Sequence, residues 1–201
     1  LSFFAMCILF APWIAPYGES QIVGDVWEPI GGTFLFGTDQ IGRDLLSRLV
    51  YGARNTISLA LLTTALAFLI GGLLGFLAAT MRGWVDQLLS RFVDIIISIP
   101  TLIFALIVLS AVGTSIPVLI SVIGLVYAMP VYRIARAVAM DIEIMDYVEV
   151  ARLRGEGLWW IMRREILPNA LTPLAAEFGL RFCFVFLLIS GLSFLGLGLQ
   201  P

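Results

Sequence analysis

Apolar runs and polar segments alternate along the chain in a pattern that predicts helices crossing a bilayer. Residues 1–15 are almost wholly apolar and end at Pro12 and Pro16. A polar segment, 17–55, follows, and then 56–80 runs without a single charge. A span needs about 20 apolar residues, so this stretch is long enough to cross with some tilt. Further runs cover 92–112, 116–132 and 174–190. Between them lie a short charged turn, 81–91, and one long charged segment, 146–173. The expectation is an all-α, polytopic transmembrane helix bundle with about five spans. The first of these opens without a polar lead, which reads as a span begun part-way; a cleaved signal peptide is the competing reading.

Positions within the runs refine this. Ala67, Gly71, Gly75 and Ala79 recur every fourth residue, a small-residue face that lets another helix approach closely. Pro100 removes a backbone hydrogen bond inside 92–112 and predicts a bend, and Pro130 interrupts 116–132. Asp94 stands one helical turn after Arg91 and is expected to pair with it, while Glu177 precedes Arg181 at the favourable i,i+4 spacing. Asp94, Pro100, Gly71 and Gly75 are candidates for a translocation path, with ordinary helix packing as the alternative. Before the second run, Leu45, Leu46, Leu49 and Val50 form an apolar face opposite Asp44, Ser47 and Arg48. That pattern predicts an amphipathic segment at the membrane interface.

Composition removes several chemistries. Hydrophobic residues make up 60% of the chain and charged residues 13%, outside the range of soluble domains. All 12 basic residues are arginine, and histidine is absent. No Walker-type phosphate loop, Schiff base or histidine-dependent catalysis can be written for such a chain. No catalytic, metal or cofactor site is predicted, and the net charge of -2 points away from a nucleic-acid partner. Cys7 and Cys183 sit in apolar runs and are expected to be buried packing residues.

Charge also orients the chain. Arg82, Arg91, Arg133, Arg136, Arg152, Arg154, Arg163 and Arg164 fall in two segments that share a side if the spans alternate, and the positive-inside rule makes that side cytoplasmic. The segment 146–173 then faces the cytoplasm and 17–55 lies outside. With Leu153, Leu158, Trp159, Trp160, Ile161 and Met162 it is too apolar for a free connector, and Gly155 and Gly157 permit a turn between two short helices. It reads as a docking surface.

At these residues a family resemblance becomes specific. Glu149, Val150 and Ala151, then Gly155, then Ile166, Leu167 and Pro168 resemble the EAA loop of bacterial ATP-binding-cassette importer permeases, with Val150 in place of the middle alanine. The segment FGTDQIGRDLLSRLVYGAR at 36–54, VDIIISIP at 93–100, LPN at 167–169 and GLSFLGLGLQP at 191–201 are similar to the second membrane subunit of the peptide and nickel branch. Glu165 stands where that branch often has histidine.

The resemblance implies a MetI-like permease fold of six spans in a bacterial inner membrane, in contact with lipid. It implies a homologous sister permease subunit, two cytoplasmic ATPases and an extracytoplasmic substrate-binding protein as partners. Glu149, Ala151, Gly155, Trp159, Ile166, Leu167 and Pro168 would form the ATPase-coupling loop, at about 140–173. The chain would then divide into a partial first span (1–16), an external loop (17–55) and the permease domain (56–201). Di- or oligopeptides are the expected cargo; nickel, glutathione, opines or sugars are alternatives within the branch. A secondary transporter working without ATPases is the alternative of another class, disfavoured because Glu177, the acid well inside an apolar run, has Arg181 beside it.

Overall fold

The computed structural model describes residues 11–198, so most of the first run, Cys7 and the last three residues of the 191–201 segment lie outside the described residues. The helices are α1 (Leu45–Met81), α2 (Gly83–Ile97), α3 (Thr101–Val112), α4 (Ile116–Glu143), α5 (Asp146–Leu153), α6 (Leu158–Ile161) and α7 (Leu167–Phe194). A π-helical turn, Met162–Ile166, joins α6 to α7, making Leu158–Phe194 one continuous helix. Isolated bridges are the only β-pairing among the described residues. Three helices, α1, α4 and Leu158–Phe194, are long and apolar enough to cross a membrane, and α2 with α3 can supply a fourth crossing. The chain forms two compact units, meeting in sequence at Ala60 and Leu61.

The first unit is a loop built around buried acids. Asp44 accepts hydrogen bonds from the Ser47 N–H (2.8 Å) and hydroxyl (2.6 Å). These bonds cap the first turn of α1 and start the helix at Leu45. The amphipathic segment is thus not a separate interfacial helix but the opening of α1. Its polarity is partly inverted from expectation: Asp44 and Ser47 are buried beneath the loop, where Tyr17 N–H donates to Ser47, and Leu45 and Leu49 point outward, while Val50 is buried as expected. Asp39 holds the loop from its centre. Its carboxylate accepts the backbone N–H groups of Ile41 (2.9 Å) and Arg43 (3.0 Å) and pairs with the guanidinium groups of Arg43 (2.8 Å) and Arg48 (2.7 Å). Burial alone would push this carboxyl up; the Arg43 and Ile41 N–H groups and the Arg43 guanidinium outweigh that and hold it well below the usual carboxylate range.

In the second unit α4 is the hub. A Cβ at Gly71 would run into the Ala128 carbonyl oxygen, and one at Gly75 would stand 2.8 Å from both the Tyr132 carbonyl oxygen and Ala135 Cβ. The small-residue face of α1 is therefore filled by the backbone of α4. Gly71 meets Ala128 and Gly75 meets Tyr132, so the two helices run in the same direction. Helix α7 runs the other way: Ala170 and Leu174 share a core with Ala135 and Ala139, and Tyr127 donates to the Phe184 carbonyl at 3.3 Å.

Several boundaries differ from those read in the sequence. The turn at 81–91 shrinks to Arg82 and Gly83, both with positive φ (49° and 61°), and α2 starts at once. The run 92–112 does bend at Pro100 as its sequence predicts, with α2, which begins earlier than that run, meeting α3 at Ser98–Pro100 at 85°. Pro100 lacks an N–H and keeps Ile99 out of helical geometry. In α4, by contrast, the helix passes through Pro130 and continues to Glu143. The second short helix expected in 146–173 is instead the start of the final membrane helix. Cys183 is exposed on α7 rather than buried, since its neighbours Val185 and Ile189 form the inward face.

Candidate functional site

The segment from Met145 to Pro168 presents a short helix on a firm base. Helix α5 carries Asp146 and Glu149 in its first turn and Arg152 in its last, the charge order that complements the helix dipole. Val148 and Ala151, one turn apart, are buried with Ile142, Ala139 and Phe76 beneath and Ile161, Met162 and Ile166 beside them. The opposite side is open: Glu149, Val150, Leu153 and Arg154 are exposed, Leu153 at 81%. Val150, the departure from the EAA pattern, thus takes no part in the core.

Gly155 ends the helix by a defined route. Its own N–H donates to the Arg152 carbonyl (2.9 Å) and the Glu156 N–H to the Ala151 carbonyl (3.2 Å). These are the paired bonds of a Schellman cap, which needs a left-handed residue. Gly155 supplies it, with φ 81°. Gly157 has φ -74° and imposes no such demand. Beyond it, Trp159 is 65% exposed while Trp160 packs on the core, so the adjacent tryptophans point to different environments. Ile166 is buried; Leu167 and Pro168 are exposed. Pro168 cannot donate to the preceding turn, which is where the helix widens to π geometry. Next to it, the Asn169 side chain donates to the Glu165 carbonyl at 2.7 Å.

Asp94 and Pro100 are not part of this surface. Asp94 pairs with Arg133 on α4 at 2.6 Å, not with Arg91, because α2 and α4 face each other along a polar ladder. Asp86 binds Arg136 through both carboxylate oxygens, Ser90 and Tyr132 share a hydrogen bond of 2.9 Å, and Asp94 with Arg133 completes the set. Asp86, Ser90 and Asp94 are spaced four apart, and this spacing against Tyr132, Arg133 and Arg136 is the signal from which the ladder could have been read. Glu177 and Arg181 do form their ion pair on α7. Among the described residues no cluster of His, Cys, Asp or Glu could hold a metal ion.

One residue escaped the sequence reading altogether. Glu143, the last residue of α4, has a fully buried side chain that meets two arginines: Arg82, between α1 and α2, at 3.0 Å, and Arg152 of α5. Its position continues the line Ala135, Ala139, Glu143, one acid at the end of a buried face with period four.

The described residues thus form a polytopic helical bundle with a short helix held on its surface at the end of α4. Comparison with known proteins gives the family. Residues 71–201 match the family described as binding-protein-dependent transport system inner membrane component. The di/tripeptide transport system permease protein DppC of Pseudomonas aeruginosa is 37% identical over 203 residues, covering 97% of this chain and 67% of that protein. A probable D,D-dipeptide transport system permease protein of Escherichia coli is 34% identical, covering 97% and 66%. The glutathione transport system permease protein of Pectobacterium atrosepticum is 30% identical, covering 82% and 55%. The chain belongs to this family of inner-membrane permease components, and it spans about two thirds of the length of the first two relatives.

Proposed function

We propose that the chain is one membrane subunit of an ATP-binding-cassette importer for di- or oligopeptides, and that α5 with the turn at Gly155 docks on a cytoplasmic ATPase. The observation that carries this reading is the two-sidedness of α5: Val148 and Ala151 sit in the permease core while Glu149, Val150 and Leu153 face outward, leaving a preformed apolar and charged surface. The cargo class rests on the relatives named for peptide transport. With no lysine in the chain, ATP hydrolysis falls to separate subunits, and a sister permease subunit and an extracytoplasmic binding protein complete the assembly.

Two substitutions in the full-length subunit test the docking. Gly155→Asp places a side chain where the cap needs a left-handed residue, and Glu149→Lys reverses charge on the outer side of α5. Each is expected to reduce co-purification of the ATPases and peptide-stimulated ATP hydrolysis. Wild-type assembly and stimulation in both variants would contradict the docking surface. Uptake of labelled dipeptide, competed by tripeptide or by glutathione, assigns the cargo.

A further inference from the structure

We infer that Glu143 is a positioning residue that ties the docking helix to the membrane helices, so that movement of α5 is delivered to α1 and α4. This rests on the reading of α5 as the ATPase-docking helix and adds the route by which motion leaves it. Glu143 is the last residue of α4, immediately before the two-residue turn Ile144–Met145 that leads into α5. One carboxylate oxygen pairs with Arg152 in the last turn of α5, and the other accepts from Arg82 Nε at 3.0 Å. Three elements thus converge on one side chain with no solvent exposure: the end of α4, the docking helix, and the corner where α1 turns into α2.

The chemistry suits transmission better than simple attachment. The apolar contact of Val148 and Ala151 with α4 is non-directional and permits sliding. A fully buried carboxylate whose oxygens are each committed to a different, partly exposed arginine is directional, because losing either partner leaves a desolvated charge underpaired. Arg82 holds an extended, positive-φ backbone (φ 49°, ψ -173°) that is uncommon for a residue with a side chain and persists where its surroundings determine it. The opposite connection of α5 passes through the Gly155 cap and a π-helical turn into α7, and among the described residues it reaches neither α1 nor α2 by an ion pair of α5. The directional, charged link from α5 to the α1–α2 corner therefore runs through Glu143.

The test uses the complete complex in proteoliposomes with its binding protein, reading labelled alanine dipeptide transported per ATP hydrolysed. In Glu143→Gln the ATPases should co-purify as in wild type and ATP hydrolysis should persist. Peptide moved per ATP should fall about tenfold, within the span of ordinary coupling free energies. Arg152→Gln should do the same, Arg152→Lys should recover most of the coupling, and the double variant should be no worse than Glu143→Gln alone. A wild-type ratio in Glu143→Gln overturns the inference, as does a double variant whose losses multiply. Loss of ATPase co-purification in Glu143→Gln also overturns it, by making the residue part of docking itself. If Glu143→Gln yields no folded membrane subunit at all, the Arg152 pair decides: a wild-type ratio in Arg152→Gln, or no recovery in Arg152→Lys, overturns the inference. Failure of the docking reading is seen separately, as intact ATPase binding in Glu149→Lys and Gly155→Asp.

Discussion

Gly71 and Gly75 are small for a steric reason that neighbouring glycines do not share. At Gly71 a single added methyl would collide with the backbone of α4, which cannot step aside as a flexible side chain would. Gly72, one residue on in the same helix, has nothing within 4 Å of the place its Cβ would occupy. Gly71→Ala is therefore expected to destabilise the subunit by about 1–3 kcal/mol, the usual range for overpacking. Gly72→Ala should be neutral or stabilising by up to about 1 kcal/mol through helix propensity alone. Denaturation midpoints of the two variants in detergent check this, and equal midpoints would remove the steric argument. The period-four stripe made this contact legible in the sequence, because spacing encodes a helix face. Glu143 was not legible, since burial of a charge depends on arginines 61 positions before and 9 after it.

At the scale of elements, hydropathy located the membrane helices but not their ends. An apolar run stops where charges begin, whereas a helix stops where its hydrogen bonds do. Hence α1 starts at the Asp44 cap, well before the uncharged stretch, and α4 carries Arg133 and Arg136 into its last turns because Asp94 and Asp86 wait on α2. The Gly155 turn was readable because its left-handed cap demands a particular residue, while the π turn at Met162–Ile166 was not read, although Pro168, which cannot donate to that turn, stood in the sequence. The loop 17–55 was legible only as structured, and its organising acid, Asp39, yields a prediction. The folded-state titration of Asp39 lies below its ordinary value, so its contribution is present above about pH 4 and is lost as pH falls further. Amide-exchange protection around Ile41 and Arg43 should accordingly fall below about pH 4, and Asp39→Asn should lower protection at neutral pH while flattening the dependence. Protection that holds constant to about pH 2 or below in the wild type would rule this out.

For the second unit as a whole, the helix directions decide how often the chain crosses the membrane. Helices α1 and α4 run the same way, and their ends are tied together by Arg82 and Glu143. The start of α4 therefore lies at the other end of the unit, and α2 with α3 must carry the chain back across despite their 85° bend. A re-entrant excursion would return residue 113 to the side it left, which the shared direction of α1 and α4 does not allow. The ladder agrees, since Asp86 meets Arg136 near the α5 end while Asp94 meets Arg133 further in. Combined with the arginine-rich segments on the α5 side, the positive-inside rule predicts the α3–α4 turn outside the cell and α5 in the cytoplasm. The check is thiol labelling in intact cells with Cys7 and Cys183 replaced by serine. Ser115→Cys should react with an impermeant reagent added outside, and Asp141→Cys should react only after permeabilisation. Labelling of both positions from outside, or of neither, would make α2 and α3 a re-entrant pair and remove the alternation on which the sidedness of the docking helix depends.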